Sequence, residues 1–116
     1  MGSMKPILTE KNLRQNKTEA AYDKRLWRLK LAGEIIDYRF EAWKLILVHG
    51  IPKLRNEMSY TPDFLVVRSD RFEFHEVKGY WKEDARLKIK MAAELYPWCR
   101  FFGVTLKNGI WRFEEF

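Results

Sequence analysis

Asp63, Glu76 and Lys78 are the residues whose types and spacing bring two acids and an amine within reach of one another. They lie in Tyr60 to Gly79, YTPDFLVVRSDRFEFHEVKG, where the apolar runs Phe64 to Val67 and Phe72 to Phe74, continuing to Val77, flank the polar turn Arg68-Ser69-Asp70-Arg71. That pattern predicts a β-hairpin. Successive side chains on a strand leave opposite faces, so Glu76 and Lys78 share one face while His75 and Val77 share the other. Asp63, just after Pro62 at the start of the first strand, faces them across the hairpin. Two carboxylates and a lysine so placed suit a hard divalent cation such as Mg²⁺, which takes oxygen ligands, keeps several waters and is shared with a phosphate. The competing reading is a surface ion pair, worth at most about 1 kcal/mol when exposed.

The elements around this stretch must hold it in place. Ala20, Leu26 or Trp27, and Leu31 recur near the helical period before Gly33, predicting a first helix over about Lys17 to Ala32. Glu19 falls in its first turn, three residues after Asn16, the spacing of a capping box. Glu34 to His49 reads as a strand pair or one bent strand, and Gly50 to Ser59 as a loop in which Lys53 and Arg55 are solvated charges. A second helix is predicted over about Glu83 to Leu95, ended by Pro97, with Ala85, Ile89, Ala92 and Tyr96 as its core stripe and Leu87, Met91 and Leu95 widening it. Lys82, Arg86 and Lys90 recur every fourth residue along one flank. They either track phosphates or form a solvated face supported by Asp84 and Lys88. Phe101 to Leu106, Asn108-Gly109 and Ile110 to Phe113 make a closing hairpin, because Asn-Gly suits a two-residue turn. The order predicts an α/β fold with a central mixed β-sheet flanked by helices, the Lys78 strand crossing through the second helix to a parallel Phe101 strand.

With 116 residues the chain has the size of one domain, and its +6 formal charge, with a pI near 9.5, favours a polyanionic partner. Cys99 is the sole cysteine, which excludes an internal disulfide and a cysteine-built zinc site; its aromatic surroundings make it a small buried hydrophobe. No apolar run reaches the length of a membrane span and no signal-peptide core is visible, so a cytoplasmic location with no membrane association is expected. Met1-Gly2-Ser3 reads as an expression remnant. Residues 1-15 are expected to be that remnant plus a flexible arm whose Lys5, Lys11 and Arg14 can touch phosphate, and 16-116 a single domain. His75, on the face away from Glu76, reads as structural.

Pro62-Asp63, a hairpin and Glu76-Val77-Lys78 resemble the PD-(D/E)xK nuclease signature. With Asn16-Lys17-Thr18-Glu19, Tyr60-Thr61-Pro62-Asp63-Phe64, His75 to Gly79, Trp81, Asp84-Ala85-Arg86 and Lys88-Ile89-Lys90, the chain resembles a family of small phage-encoded nucleases. Less closely, it is similar to phage endonuclease I, a junction resolvase, and to a transposon endonuclease subunit. The resemblance implies a restriction-endonuclease-like core and a divalent-metal-dependent DNA endonuclease of a phage in its host's cytoplasm, with branched or double-stranded DNA as substrate. It implies that Asp63, Glu76 and the Val77 carbonyl hold Mg²⁺ or Mn²⁺ and that Glu19 is either a further ligand or only a helix cap. Asp63, Glu76, Lys78 and Glu19 would then be catalytic, with Lys78 acting as an ammonium that orients water or as a neutral amine that accepts a proton. Lys17, Lys82, Arg86 and Lys90 would bind nucleic acid. A binding module with an unused nuclease-like site and a subunit of a larger machine are the other two classes. Paired incisions require two sites, so a homodimer is expected, built from the arm or from Trp43, Trp111 and Phe116.

Overall fold

A computed structural model describes residues 14–48 and 58–116. The first thirteen residues of the expected arm, His49, and most of the expected loop with Lys53 and Arg55 lie outside the described residues. Helix α1 (Lys17–Leu31) is followed by β1 (Asp37–Phe40), β2 (Leu45–Val48), β3 (Met58–Tyr60), β4 (Phe64–Val67) and β5 (Phe72–Lys78). Then come α2 (Glu83–Leu95), β6 (Arg100–Lys107) and β7 (Ile110–Glu115). Five strands form one mixed sheet in the order β1-β4-β5-β6-β7, and β2 with β3 forms a separate two-stranded sheet.

The β4–β5 hairpin closes on Arg68 to Arg71, where the Arg68 N–H donates to the Arg71 carbonyl at 2.9 Å. A crossover through α2 makes β5 and β6 parallel, as the spacing predicts. Asn108 and Gly109 take positive φ of 52° and 74°, the left-handed pair that a tight hairpin with right-handed strand twist demands.

Two apolar layers sandwich the main sheet. One joins Tyr22 and Leu26 of α1 to Phe64, Val66, Val77 and Val104. The other joins Ile89 and Ala92 of α2 to Leu65, Phe74 and Phe101, with the small sheet contributing Leu45 and Leu47. Cys99 is buried in this second layer, and burial raises its thiol pKa to about 11.

Three expectations need correction. The Glu34 to His49 stretch is neither one bent strand nor a pair in one sheet: β1 joins β4, while β2 leaves for the small sheet. Glu41, at φ 47°, marks that departure. Met58 and Ser59 are strand β3 rather than the end of a loop. Leu31, Leu87 and Leu95 are exposed rather than core, because the main sheet and the small sheet leave those helix flanks uncovered. Tyr22, absent from the expected core positions, is its largest fully buried side chain.

Candidate metal-binding site

The register of the β4–β5 hairpin decides what meets at the carboxyl end of β5. Phe64 pairs with His75 and Leu65 with Phe74, so one further step of the same antiparallel register sets Asp63 directly across from Glu76. Like charges directly opposite repel. Here both side chains are also buried, Asp63 at 8% and Glu76 at 5% exposure. The arrangement is therefore not the exposed ion pair that was the competing reading.

Asp63 is fixed from two sides. Its backbone carbonyl accepts from the Glu41 N–H at 2.8 Å, which ties it to the left-handed residue ending β1. Its carboxylate Oδ2 accepts from the Val77 N–H at 2.8 Å. That amide is available because β4 has ended opposite it. The N–H and C=O of a strand residue leave along the same edge, so the Val77 carbonyl faces the Asp63 side as well.

Burial first, and then the neighbouring Glu76 carboxyl, push the Asp63 pKa up from 3.8 to about 8, against the pull of the Val77 N–H and Glu19. No cation comes within salt-bridge distance of Asp63 or Glu76 among the described residues. Tyr60, brought in by the small sheet, adds a buried hydroxyl with no hydrogen-bond partner among the described residues. Burial and the Glu76 and Asp63 carboxyls push its pKa upward. Sequence reasoning missed this residue as part of the site, since its position depends on the β2–β3 pairing, which carries no local signal.

Glu19 satisfies its capping reading in full. The Asn16 N–H donates to Glu19 Oε1 at 2.9 Å, and the Glu19 N–H donates to Asn16 Oδ1 at 2.8 Å. The same carboxyl lies beside Asp63 and feels the charge of Lys78; its pKa is raised, chiefly by burial. The start of α1, Asp63, Glu76 and Lys78 thus converge on one end of the sheet. Among the described residues no group of three or more His, Cys, Asp or Glu side chains is placed to hold a metal. Mg²⁺ is commonly held by only one or two carboxylates plus waters, and the Asp63–Glu76 pair supplies that number. The Tyr60 hydroxyl, without a partner among the described residues, and two buried carboxyls with no cation beside them are groups that a hydrated cation could satisfy.

Around the site, Trp81 packs on β6 at Gly103, the residue paired with Glu76. A Cβ on Gly103 would stand 2.5 Å from the Trp81 ring. The basic residues separate into two groups. Lys17, Lys82 and Lys90 are exposed, whereas Arg86 donates to both oxygens of Glu114 at 2.9 and 2.7 Å and lies over the Phe116 ring. Arg86 is therefore tied into the fold by β7.

His75 belongs to a second buried network on the α1 face. Its Nε2 donates to Glu73 Oε1 at 2.9 Å, since ionised Glu73 can only accept; its Nδ1 then accepts from the Tyr22 hydroxyl at 2.6 Å. Burial by itself would raise the Glu73 pKa, but His75, Arg71 and Arg68 hold it at about 2. Burial also lowers the His75 pKa, keeping the ring neutral.

Comparison with family models, curated proteins and solved structures found no match to this chain.

Proposed function

We propose that this chain is a divalent-metal-dependent DNA endonuclease with a restriction-endonuclease-like core, acting on branched or double-stranded DNA. The observation that carries the reading is the pairing of Asp63 with Glu76: two buried carboxyls, directly opposed, beside a Tyr60 hydroxyl that has no hydrogen-bond partner, and with no cation at salt-bridge distance, among the described residues. Purely structural demands do not produce such a pair, because either residue replaced by an apolar one would relieve both burial and repulsion. A +6 net charge and the exposed Lys17, Lys82 and Lys90 support a polyanionic substrate.

Asp63, Glu76 and the Val77 carbonyl would hold Mg²⁺ or Mn²⁺, with Glu19 free to contribute when it releases the Asn16 amide. The bound cation would supply Lewis acidity at the scissile phosphate and a more acidic water. Lys78, on the same strand face as Glu76, would orient the attacking water and offset charge on the phosphate. Lys82 and Lys90, on the helix that follows Lys78, hold the flanking backbone.

A panel of duplex, single-stranded, flap and four-way DNA with Mg²⁺ or Mn²⁺, run on wild type, Asp63→Asn and Glu76→Gln, tests the reading. Cleavage by wild type, lost in both folded variants, is expected. Salt-sensitive binding without cleavage would instead make the chain a binding module with an unused site.

A further inference from the structure

The outer edge of β7 is unpaired among the described residues. Arg112, Glu114 and Glu115 give it charge, but it carries no proline or lysine, and it pairs with β6 without a bulge over six residues. Ile110 and Phe113 are exposed on it, at 59% and 46%. The Phe116 N–H donates to the Phe101 carbonyl, so even-numbered β7 residues point their amides at β6. Trp111, Phe113 and Glu115 therefore point theirs outward.

From this edge we infer that β7 pairs antiparallel with β7 of a second copy about a two-fold axis through Phe113, joining two five-stranded sheets into one of ten strands. Outward-facing amides must meet outward-facing amides, which requires the axis to pass through a residue rather than between residues. Centring on Arg112 or Glu114 would set like charges face to face. Centring on Phe113 sets Arg112 against the partner subunit's Glu114 on the α2 face, ring against ring at Phe113, and Ile110 against the partner subunit's Phe116. Arg112 is exposed and makes no ion pair among the described residues, whereas Glu114 already accepts from Arg86, so the contact makes Glu114 an acceptor shared by two arginines. The surface is thus self-complementary in amides, charge and apolar groups, as a two-fold interface must be.

The register also locates the two sites. Phe113 pairs with Val104, and Val104 with Val77, so the axis lies level with the site strand between Glu76 and Lys78. Five inter-strand spacings then separate the two β5 strands, about 24 Å at about 4.8 Å each. A two-fold axis perpendicular to the sheet leaves both Glu76–Lys78 faces on the same side. Two sites facing one DNA would give paired incisions; this part alone rests on the proposed nuclease reading.

The test is light scattering of the full chain at micromolar concentration, without DNA or metal, with cysteine crosslinking. Wild type should show twice the 14.1 kDa of one chain. Phe113→Glu, which opposes itself across the axis, should give the single mass. Should that variant fail to fold, Arg112→Glu, at an exposed position, sets like charges against the partner subunit's Glu114 and should weaken the dimer about tenfold. Phe113→Cys should crosslink to itself on mild oxidation, because paired Cα atoms lie about 5.5 Å apart, whereas Ile110→Cys should not. A monomeric wild type, a dimer indifferent to Phe113→Glu and Arg112→Glu, or equal crosslinking at both positions would overturn the inference. A dimeric wild type without nuclease activity would overturn the proposed function and leave the interface standing.

Discussion

Replacing Asp63 by Asn should stabilise the metal-free protein while removing its response to Mg²⁺. The Asp63 pKa rises from 3.8 to about 8 through burial and then through Glu76. Each tenfold change in proton affinity corresponds to about 1.4 kcal/mol, so full ionisation of this buried pair costs of order 5 kcal/mol. Asn keeps the volume and an oxygen for the Val77 N–H, and its amide can donate to Glu76. Recovering part of the penalty should raise stability by roughly 1 to 3 kcal/mol above about pH 8. The sign follows from proton counting. Between about pH 4 and about pH 8 native Asp63 holds a proton that the unfolded chain has lost, so its contribution to stability falls as pH rises through that window. The variant lacks this slope, and its advantage should shrink toward zero near pH 4. Urea denaturation in EDTA across this range measures the difference, with an unchanged m-value showing that the unfolded state is the same. Mg²⁺ at about a hundredfold excess over its dissociation constant should add about 2.7 kcal/mol to wild type and much less to the variant. A variant less stable than wild type at alkaline pH, or a difference independent of pH, would refute the argument that burial opposite Glu76 makes ionised Asp63 costly.

Glu73→Gln should lower stability by roughly 3 kcal/mol in denaturant, because it leaves Arg68, Arg71 and His75 around a buried neutral amide; cleavage per folded molecule should be unchanged. Gly103→Ala should cost about 1 to 3 kcal/mol and shift tryptophan emission, as the added methyl displaces the Trp81 ring; unchanged emission would place the strain elsewhere. Changing Lys82 and Lys90 to Gln should reduce the salt slope of DNA binding by roughly two, while adding Arg86→Ala should change the slope little. An equal contribution from Arg86 would show that DNA displaces Glu114.

How much was legible in the sequence depends on how local each cause is. The Asn16–Glu19 capping box, the Arg68 to Arg71 turn, the Asn108-Gly109 turn and both helices are set by residues within a few positions of one another, so pattern and turn chemistry suffice to read them. The shared face of Glu76 and Lys78 follows from the two-residue period of a strand. Arg86 illustrates the limit: its helical spacing with Lys82 and Lys90 is as predicted, but its charge is taken by Glu114, 28 residues away on β7. The same holds for Tyr60, whose hydroxyl is set near Glu76, without a hydrogen bond to it, only because β2 leaves the main sheet to pair with β3. Spacing along the chain determined that Asp63, Glu76 and Lys78 could meet. Tertiary packing decided that two of them meet buried and opposed, since desolvation depends on everything stacked above a residue and not on its neighbours in sequence.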